Sequence, residues 1–131
     1  LPLDQMMQSV LAHYRSMWKP LVLPLIESGE NLVLEGSALL PEMVAQLDLR
    51  NIRATWLLAA DGVLERRIRI ESDYDLRDHD ARVLIDKFAQ RAMAFNCFIG
   101  REVSRLSLLK MEIDHDMPVE GLLSHLFSTQ G

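Results

Sequence analysis

Hydrophobic residues near the start of the chain recur at the three- and four-residue spacing of an amphipathic helix. They are Leu3, Met6, Met7, Val10, Leu11, Tyr14, Met17 and Trp18. Asp4 is the predicted N-cap of this helix, and Pro20 and Pro24 predict that it stops or kinks near Lys19. The methionine-rich stripe is interpreted as core packing, with a pliable binding face as the alternative.

Three shorter apolar runs predict β-strands, and they span residues 31–35, 52–59 and 108–113. The first contains the contiguous run LVL, which is typical of a strand buried on both faces. It ends on Glu35, and Gly36 follows with no side chain to hinder the backbone as it leaves the sheet. We therefore expect Glu35 at the carboxyl end of a buried strand.

Helical patterns separate these strands and follow the last of them. Pro41 suits the first turn of a helix that runs to about Leu47. Asp61 is the predicted cap of the next helix, and a mobile polar loop is expected over 72–80. A long helix then carries Leu84, Phe88, Ala92 and Phe95 on one stripe, and a last short helix opens at Pro118.

This alternation of helices and strands predicts an α/β fold with a parallel sheet covered by helices on both faces. The chain has 131 residues, which suits one domain over 1–131 and is too short for two ordinary ones. In open parallel sheets, ligands bind at the carboxyl ends of the strands. The end of the run at 31–35 is therefore a candidate ligand site.

Charge and composition narrow the classes of function. The net charge of −5 argues against a general nucleic-acid surface, and no apolar run approaches the length of a membrane span. The single cysteine, Cys97, permits no internal disulfide, which fits a reducing, cytoplasmic compartment. Cys97 stands between aromatic neighbours and is interpreted as a small buried hydrophobe.

Glu35 is the sharpest single candidate for chemistry. A carboxylate at the end of a strand can hold Mg²⁺, directly or through water, or accept a proton from a substrate hydroxyl. The structural alternative is an acid that caps a helix or forms a salt bridge. The residues near Glu35 do not decide between these interpretations.

The second candidate is the arginine-rich segment over 59–71, AADGVLERRIRIE. A strand leads to Asp61, and a helix then presents Arg66, Arg67 and Arg69. Guanidinium groups beside a ligand crevice bind phosphate oxygens and stabilise the charge that develops during phosphoryl transfer. The alternative is a solvated helix face on which glutamates such as Glu65 pair locally with the arginines.

Together, the segments NLVLEGSALLPEMV and ATWLLAADGVLERRIRIE resemble the later part of P-loop small-molecule kinases. The likeness is to the group that contains uridine kinase, 2-phosphoglycerate kinase and zeta-toxin-like enzymes, and FNCFIGREVSRLSLLKMEID resembles their closing helix and final strand. The resemblance implies that Glu35 is the acid near Mg²⁺ and the substrate hydroxyl. It also implies that Arg66, Arg67 and Arg69 are lid arginines that contact ATP.

The motif G-x-x-x-x-G-K-S/T, which cradles phosphates in this superfamily, does not occur in the chain. In the family it follows a central strand between those that match 31–35 and 52–58, so the resemblance implies a P-loop-kinase-like fold incomplete on its N-terminal side. The first hypothesis is an ATP-dependent phosphotransferase on a small hydroxylated metabolite, with an upstream segment supplying the P-loop. The second is a non-catalytic, kinase-like domain that associates with other proteins or forms a homodimer through 3–18.

Overall fold

The computed structural model describes residues 2–113, except for the side chains of Leu49 and Asp61. This part of the chain combines helices with a two-stranded parallel sheet. Its elements are α1 (Leu3–Met17), a π-helical turn (Trp18–Val22), α2 (Leu23–Glu27), α3 (Pro41–Val44), a 3₁₀ turn (Leu49–Asn51), β1 (Trp56–Ala59), α4 (Asp61–Glu71), a 3₁₀ turn (Tyr74–Leu76), α5 (His79–Arg105) and β2 (Lys110–Ile113). The helix predicted from Pro118 lies outside the described residues.

The first helix ends where its sequence predicts a stop or kink, at Met17 close to Lys19, but it begins before the predicted cap. Pro2 is the N-cap, so Asp4 lies in the first turn, where its charge complements the positive end of the helix dipole. From Trp18 the chain widens into the π-helical turn and then continues as α2. Pro20 lacks the N–H that an α-helix uses there, whereas Pro24 stands in the first turn of α2, where none is required.

The strands β1 and β2 pair in parallel, as the alternation of elements predicts. Trp56 is opposite Lys110, and Ala59 is opposite Ile113. Both strands are four residues long, so each is shorter than the apolar run that predicted it. The connection between them contains α4 and α5, which is the crossover that parallel strands require.

The prediction of a buried strand at 31–35 is wrong. The segment is extended but belongs to no sheet, and Val33 is 93% exposed. A single strand cannot hydrogen-bond to itself, and among residues 2–113 no neighbouring strand pairs with this segment. Its apolar side chains are therefore more exposed than the side chains of a central strand would be.

Two clusters of buried side chains form the core. The first contains Leu11, Leu40, Leu58, Ile99 and Val103, and the second contains Trp18, Val22 and Val44. Trp56 packs against both clusters, and its indole Nε1 donates a hydrogen bond to the Leu39 carbonyl at 3.0 Å. The stripe on α1 contributes Leu11 to the core, whereas Met6, Met7 and Met17 are half-buried and belong to neither cluster.

The long helix α5 buries a few residues and exposes large apolar side chains near its start. Ala89, Ile99 and Val103 are buried, whereas Leu84 is 68% and Phe88 is 50% exposed. Cys97 is exposed, so the interpretation of this residue as a buried hydrophobe is wrong. The aromatic residues beside it point elsewhere, because successive helical positions differ by about 100°.

Within residues 2–113, no helix combines the length and the apolar character needed to cross a bilayer. The segment predicted as a polar loop over 72–80 contains the 3₁₀ turn Tyr74–Leu76 and the start of α5. Asp78 caps α5, because its carboxylate accepts a hydrogen bond from the Ala81 N–H at 2.8 Å.

Leu40 tests the contribution of the first core cluster. Its side chain is 0% exposed, so Leu40→Ala leaves a cavity and should lower the free energy of unfolding by about 2–5 kcal/mol. The control is Leu76→Ala, because Leu76 is 84% exposed and its truncation should change stability by less than about 0.5 kcal/mol. Urea denaturation measures both, and equal effects of the two substitutions would contradict this core.

Candidate functional site

A cleft of about 730 Å³ separates the extended segment 30–37 from β1. One wall contains Leu32, Leu34 and Glu35, and the opposite wall is formed by residues 51–58. Leu64 of α4 and Ala92, Phe95, Asn96 and Ile99 of α5 line it as well. The cleft is therefore largely apolar and carries a few polar groups, which is the composition of many ligand sites.

One wall of the cleft is an open edge of the sheet. The Trp56 N–H donates to the Leu109 carbonyl at 3.2 Å, and the Ala60 N–H donates to the Ile113 carbonyl at 2.9 Å. In a parallel pair, alternate residues of a strand face the same neighbour, so Leu57 and Ala59 face away from β2. Among residues 2–113, no hydrogen bond engages the backbone of Leu57 on this side.

Asn96 occupies this edge at its carboxyl end. The Asn96 Nδ2 donates to the Ala59 carbonyl at 2.7 Å, and the Ala59 N–H donates to Asn96 Oδ1 at 3.1 Å. The side-chain amide thus makes the two hydrogen bonds that a neighbouring strand would make. No local pattern around Asn96 predicts this contact, because the two residues are 37 positions apart.

Glu35 lies on the cleft, exposed and directly before a turn, not at the end of a strand. The next residue, Gly36, has φ of +146°, and the Leu39 N–H donates to its carbonyl at 3.2 Å as the chain turns toward α3. Among residues 2–113, no side chain or backbone group pairs with the Glu35 carboxylate. The described structure therefore offers no salt bridge or helix cap to account for this acid.

The three candidate arginines on α4 have different surroundings. Arg69 contacts Glu65 at 2.9 Å and Asp86 at 3.7 Å, and its guanidinium lies 4.7 Å from the centre of the Tyr74 ring. Arg66 is exposed and has no ion pair with a described side chain. Arg67 is half-buried. Arg69 thus has the local partners expected of a structural arginine, and Arg66 is available to a ligand.

Tyr74 is the centre of a polar cluster between α4 and α5. Its hydroxyl donates to Asp86 at 3.1 Å, and Arg82 donates to the Tyr74 carbonyl at 3.0 Å. Partial loss of water around the phenol raises the pKa of Tyr74, and the hydrogen bond to Asp86 raises it further. The cluster joins the arginine-bearing helix α4 to the first turns of α5.

The sequence-predicted site residues do not share one cavity. Glu35 lines the cleft, whereas Arg66 and Arg69 line a shallow depression of about 300 Å³ on α4 together with Gly62. Within the described part of the chain, no three His, Cys, Asp or Glu side chains form a metal-binding group. The cleft edge and Asn96 are the features that sequence reasoning missed.

Comparison with known proteins gives no match: no family model, no curated protein and no solved structure matches this chain.

The turn beside Glu35 depends on glycine at position 36. Gly36→Ala should lower the free energy of unfolding by about 1–3 kcal/mol, because residues with a side chain rarely adopt its positive φ. Gly62→Ala is the matched control, because Gly62 lies in α4 without a positive φ and alanine favours helix. Thermal or urea unfolding distinguishes them, and destabilisation by the control alone would contradict this turn geometry.

The Tyr74 cluster predicts a pH effect. Because the folded protein holds the pKa of Tyr74 above its ordinary value near 10, its contribution to stability is full below about pH 10 and falls as the pH rises further. A pH titration followed by phenolate absorbance should show one tyrosine that ionises at a higher pH than an ordinary tyrosine. This component should remain in Tyr14→Phe and disappear in Tyr74→Phe. Persistence of that component in Tyr74→Phe would show that it belongs to another group.

Proposed function

We propose that the protein is an ATP-dependent phosphotransferase for a small hydroxylated metabolite, acting with Mg²⁺. The proposal assigns the phosphate-binding loop and the strand before it to a segment that these 131 residues do not contain. The chain would then be the later part of a kinase-like domain, located in the cytoplasm.

The observation that carries the proposal is the cleft between 30–37 and β1. The sequence resemblance requires a central strand between the segments that match 31–35 and 52–58. The structure has a cavity of about 730 Å³ between those two segments, with the open edge of β1 on one side. A parallel strand in this cleft would pair with β1 and cover the exposed leucines of 31–35.

Glu35 has the chemistry that the proposal requires at the rim of the cleft. Its carboxylate is exposed and has no partner among the described residues, so it is able to accept a proton from a substrate hydroxyl. A single carboxylate also fits Mg²⁺, which keeps several waters and binds protein through one or two carboxylates together with substrate phosphates. Bound Mg²⁺ would neutralise part of the negative charge on the phosphates.

The arginines of α4 take different roles in the proposal. Arg66 is exposed on the helix, and its planar fork suits phosphate oxygens. Arg67, beside it, is the second candidate. Arg69 is held by Glu65, Asp86 and Tyr74, so we assign it to orienting α4. By the resemblance to P-loop kinases, the first two arginines would belong to a lid that closes over bound phosphates.

The alternative is a non-catalytic, kinase-like domain that associates with other proteins. The observation that favours it is the apolar surface at the start of α5, where Leu76, Leu84 and Phe88 are exposed. The stripe over 3–18 is a weaker candidate for an interface, because Leu11 and Trp18 already pack in the core. Light scattering that shows a stable oligomer, with no effect of Mg-ATP on the melting temperature, would support this alternative.

Two substitutions in the natural-length protein test the kinase proposal. Glu35→Gln keeps the shape of the side chain but removes its charge, and it should lower kcat about 10²-fold or more. Arg66→Ala should lower kcat or raise KM for ATP, because a guanidinium that binds phosphate is lost. Consumption of ATP with a panel of sugars, nucleosides and hydroxy acids measures both.

The matched control is Arg101→Ala, which removes an exposed arginine from α5 that does not line the cleft. Its turnover should equal that of the unmodified protein. Unchanged turnover in both Glu35→Gln and Arg66→Ala would contradict these roles, and no binding of Mg-ATP by the natural-length protein would contradict the function itself.

A further inference from the structure

The contact between Asn96 and Ala59 marks a definite point along the open edge of β1. Ala59 is the last residue of the strand, and its N–H and C=O are both taken by the Asn96 amide, at 3.1 and 2.7 Å. Leu57, two residues earlier, faces the same side without a partner in the described chain. The edge is therefore open at Leu57 and closed at Ala59.

This arrangement limits how another strand can join the sheet. A strand that enters the cleft has the N–H and C=O of Leu57 as partners, but at Ala59 it meets a side chain that already uses both groups. The entering chain must leave the sheet at that level. The helix α4 begins at Asp61, immediately after this point, so the chain leaves beside the amino end of α4.

We propose that Asn96 is a positioning residue that ends strand pairing at Ala59 and so fixes where the phosphate-binding loop leaves the sheet. This inference rests on the proposed function, because the entering strand is the one that precedes the loop. Asn96 contacts neither nucleotide nor substrate in this role. It acts through the backbone of β1 and through the strand that stops against it.

The chemistry of the side chain explains why asparagine serves here. A neutral amide offers one acceptor and two donors on adjacent atoms, which matches a backbone N–H and C=O pair. Aspartate retains the acceptor for the Ala59 N–H but has no donor for the Ala59 carbonyl. Leucine retains the approximate volume and has neither group. The series Asn96, Asn96→Asp and Asn96→Leu therefore removes the contact in steps.

The experiment is residue-resolved amide hydrogen exchange on the natural-length protein, combined with steady-state kinetics in ATP. In Asn96→Leu, the Ala59 amide should exchange about 10-fold faster or more, because its hydrogen bond is lost, while Leu58, which pairs with β2, should not change. In Asn96→Leu, kcat/KM for ATP should fall about 10- to 100-fold, because displacement of the binding loop by about 1 Å lowers the rate strongly. The value for Asn96→Asp should lie between those of the unmodified protein and Asn96→Leu.

The matched control is Gln90→Leu, which also replaces an amide by leucine on α5 but at an exposed position outside the cleft. It should change neither the Ala59 exchange nor the kinetics. Equal exchange of Ala59 in the unmodified protein and in Asn96→Leu would overturn the contact. Faster exchange with unchanged kinetics, at equal melting temperature, would overturn the positioning role and leave Asn96 as a cover for a sheet edge.

The exchange rate of the Leu57 amide distinguishes a failure of the positioning role from a failure of the proposed function. Protection of Leu57 from exchange in the natural-length protein shows that a strand pairs with β1 in the cleft, as both proposals require. Fast exchange of Leu57, with Ala59 protected by Asn96 alone, would overturn the proposed function and with it the positioning role.

Discussion

Backbone groups that a strand removes from water need hydrogen-bond partners. Within residues 2–113, β1 has a partner strand along one edge only. The neighbouring structure follows from this constraint. On the paired edge, β2 brings Met111 and Ile113 into the interior. On the open edge, the backbone of Ala59 is satisfied by Asn96, and that of Leu57 faces the cleft. The extended segment 30–37 stands across the cleft with its apolar side chains incompletely covered.

The core keeps this edge in a defined geometry. Trp56, the first residue of β1, packs against both buried clusters and donates a hydrogen bond to the Leu39 carbonyl. Leu58, on the same strand, packs with Ile99 and Val103 of α5. Because α5 also carries Asn96, one helix both supports the strand and closes the end of its open edge. Tyr74 and its ionic partners then join α4 to the same helix.

The sequence predicts the elements better than it predicts their partners. The parallel pairing of β1 with β2 follows from the alternation of strands and helices, and the structure confirms it. The run at 31–35 has the apolar pattern of a buried strand. That pattern does not show whether a neighbouring strand is present to form hydrogen bonds with it. Cys97 is exposed although its sequence neighbours predict burial, because those side chains point in other directions on the helix. Asn96 could not be predicted, because its partner lies far away in sequence and no motif joins them.

Whether the cleft accepts the strand before a phosphate-binding loop is tested by the N-terminal sequence and intact mass of the natural protein. We expect a longer chain in which an apolar strand precedes G-x-x-x-x-G-K-S/T upstream of Leu1. A natural chain that begins at Leu1 would contradict this expectation, because its sequence lacks the loop and residues 2–113 contain no further strand to fill the cleft.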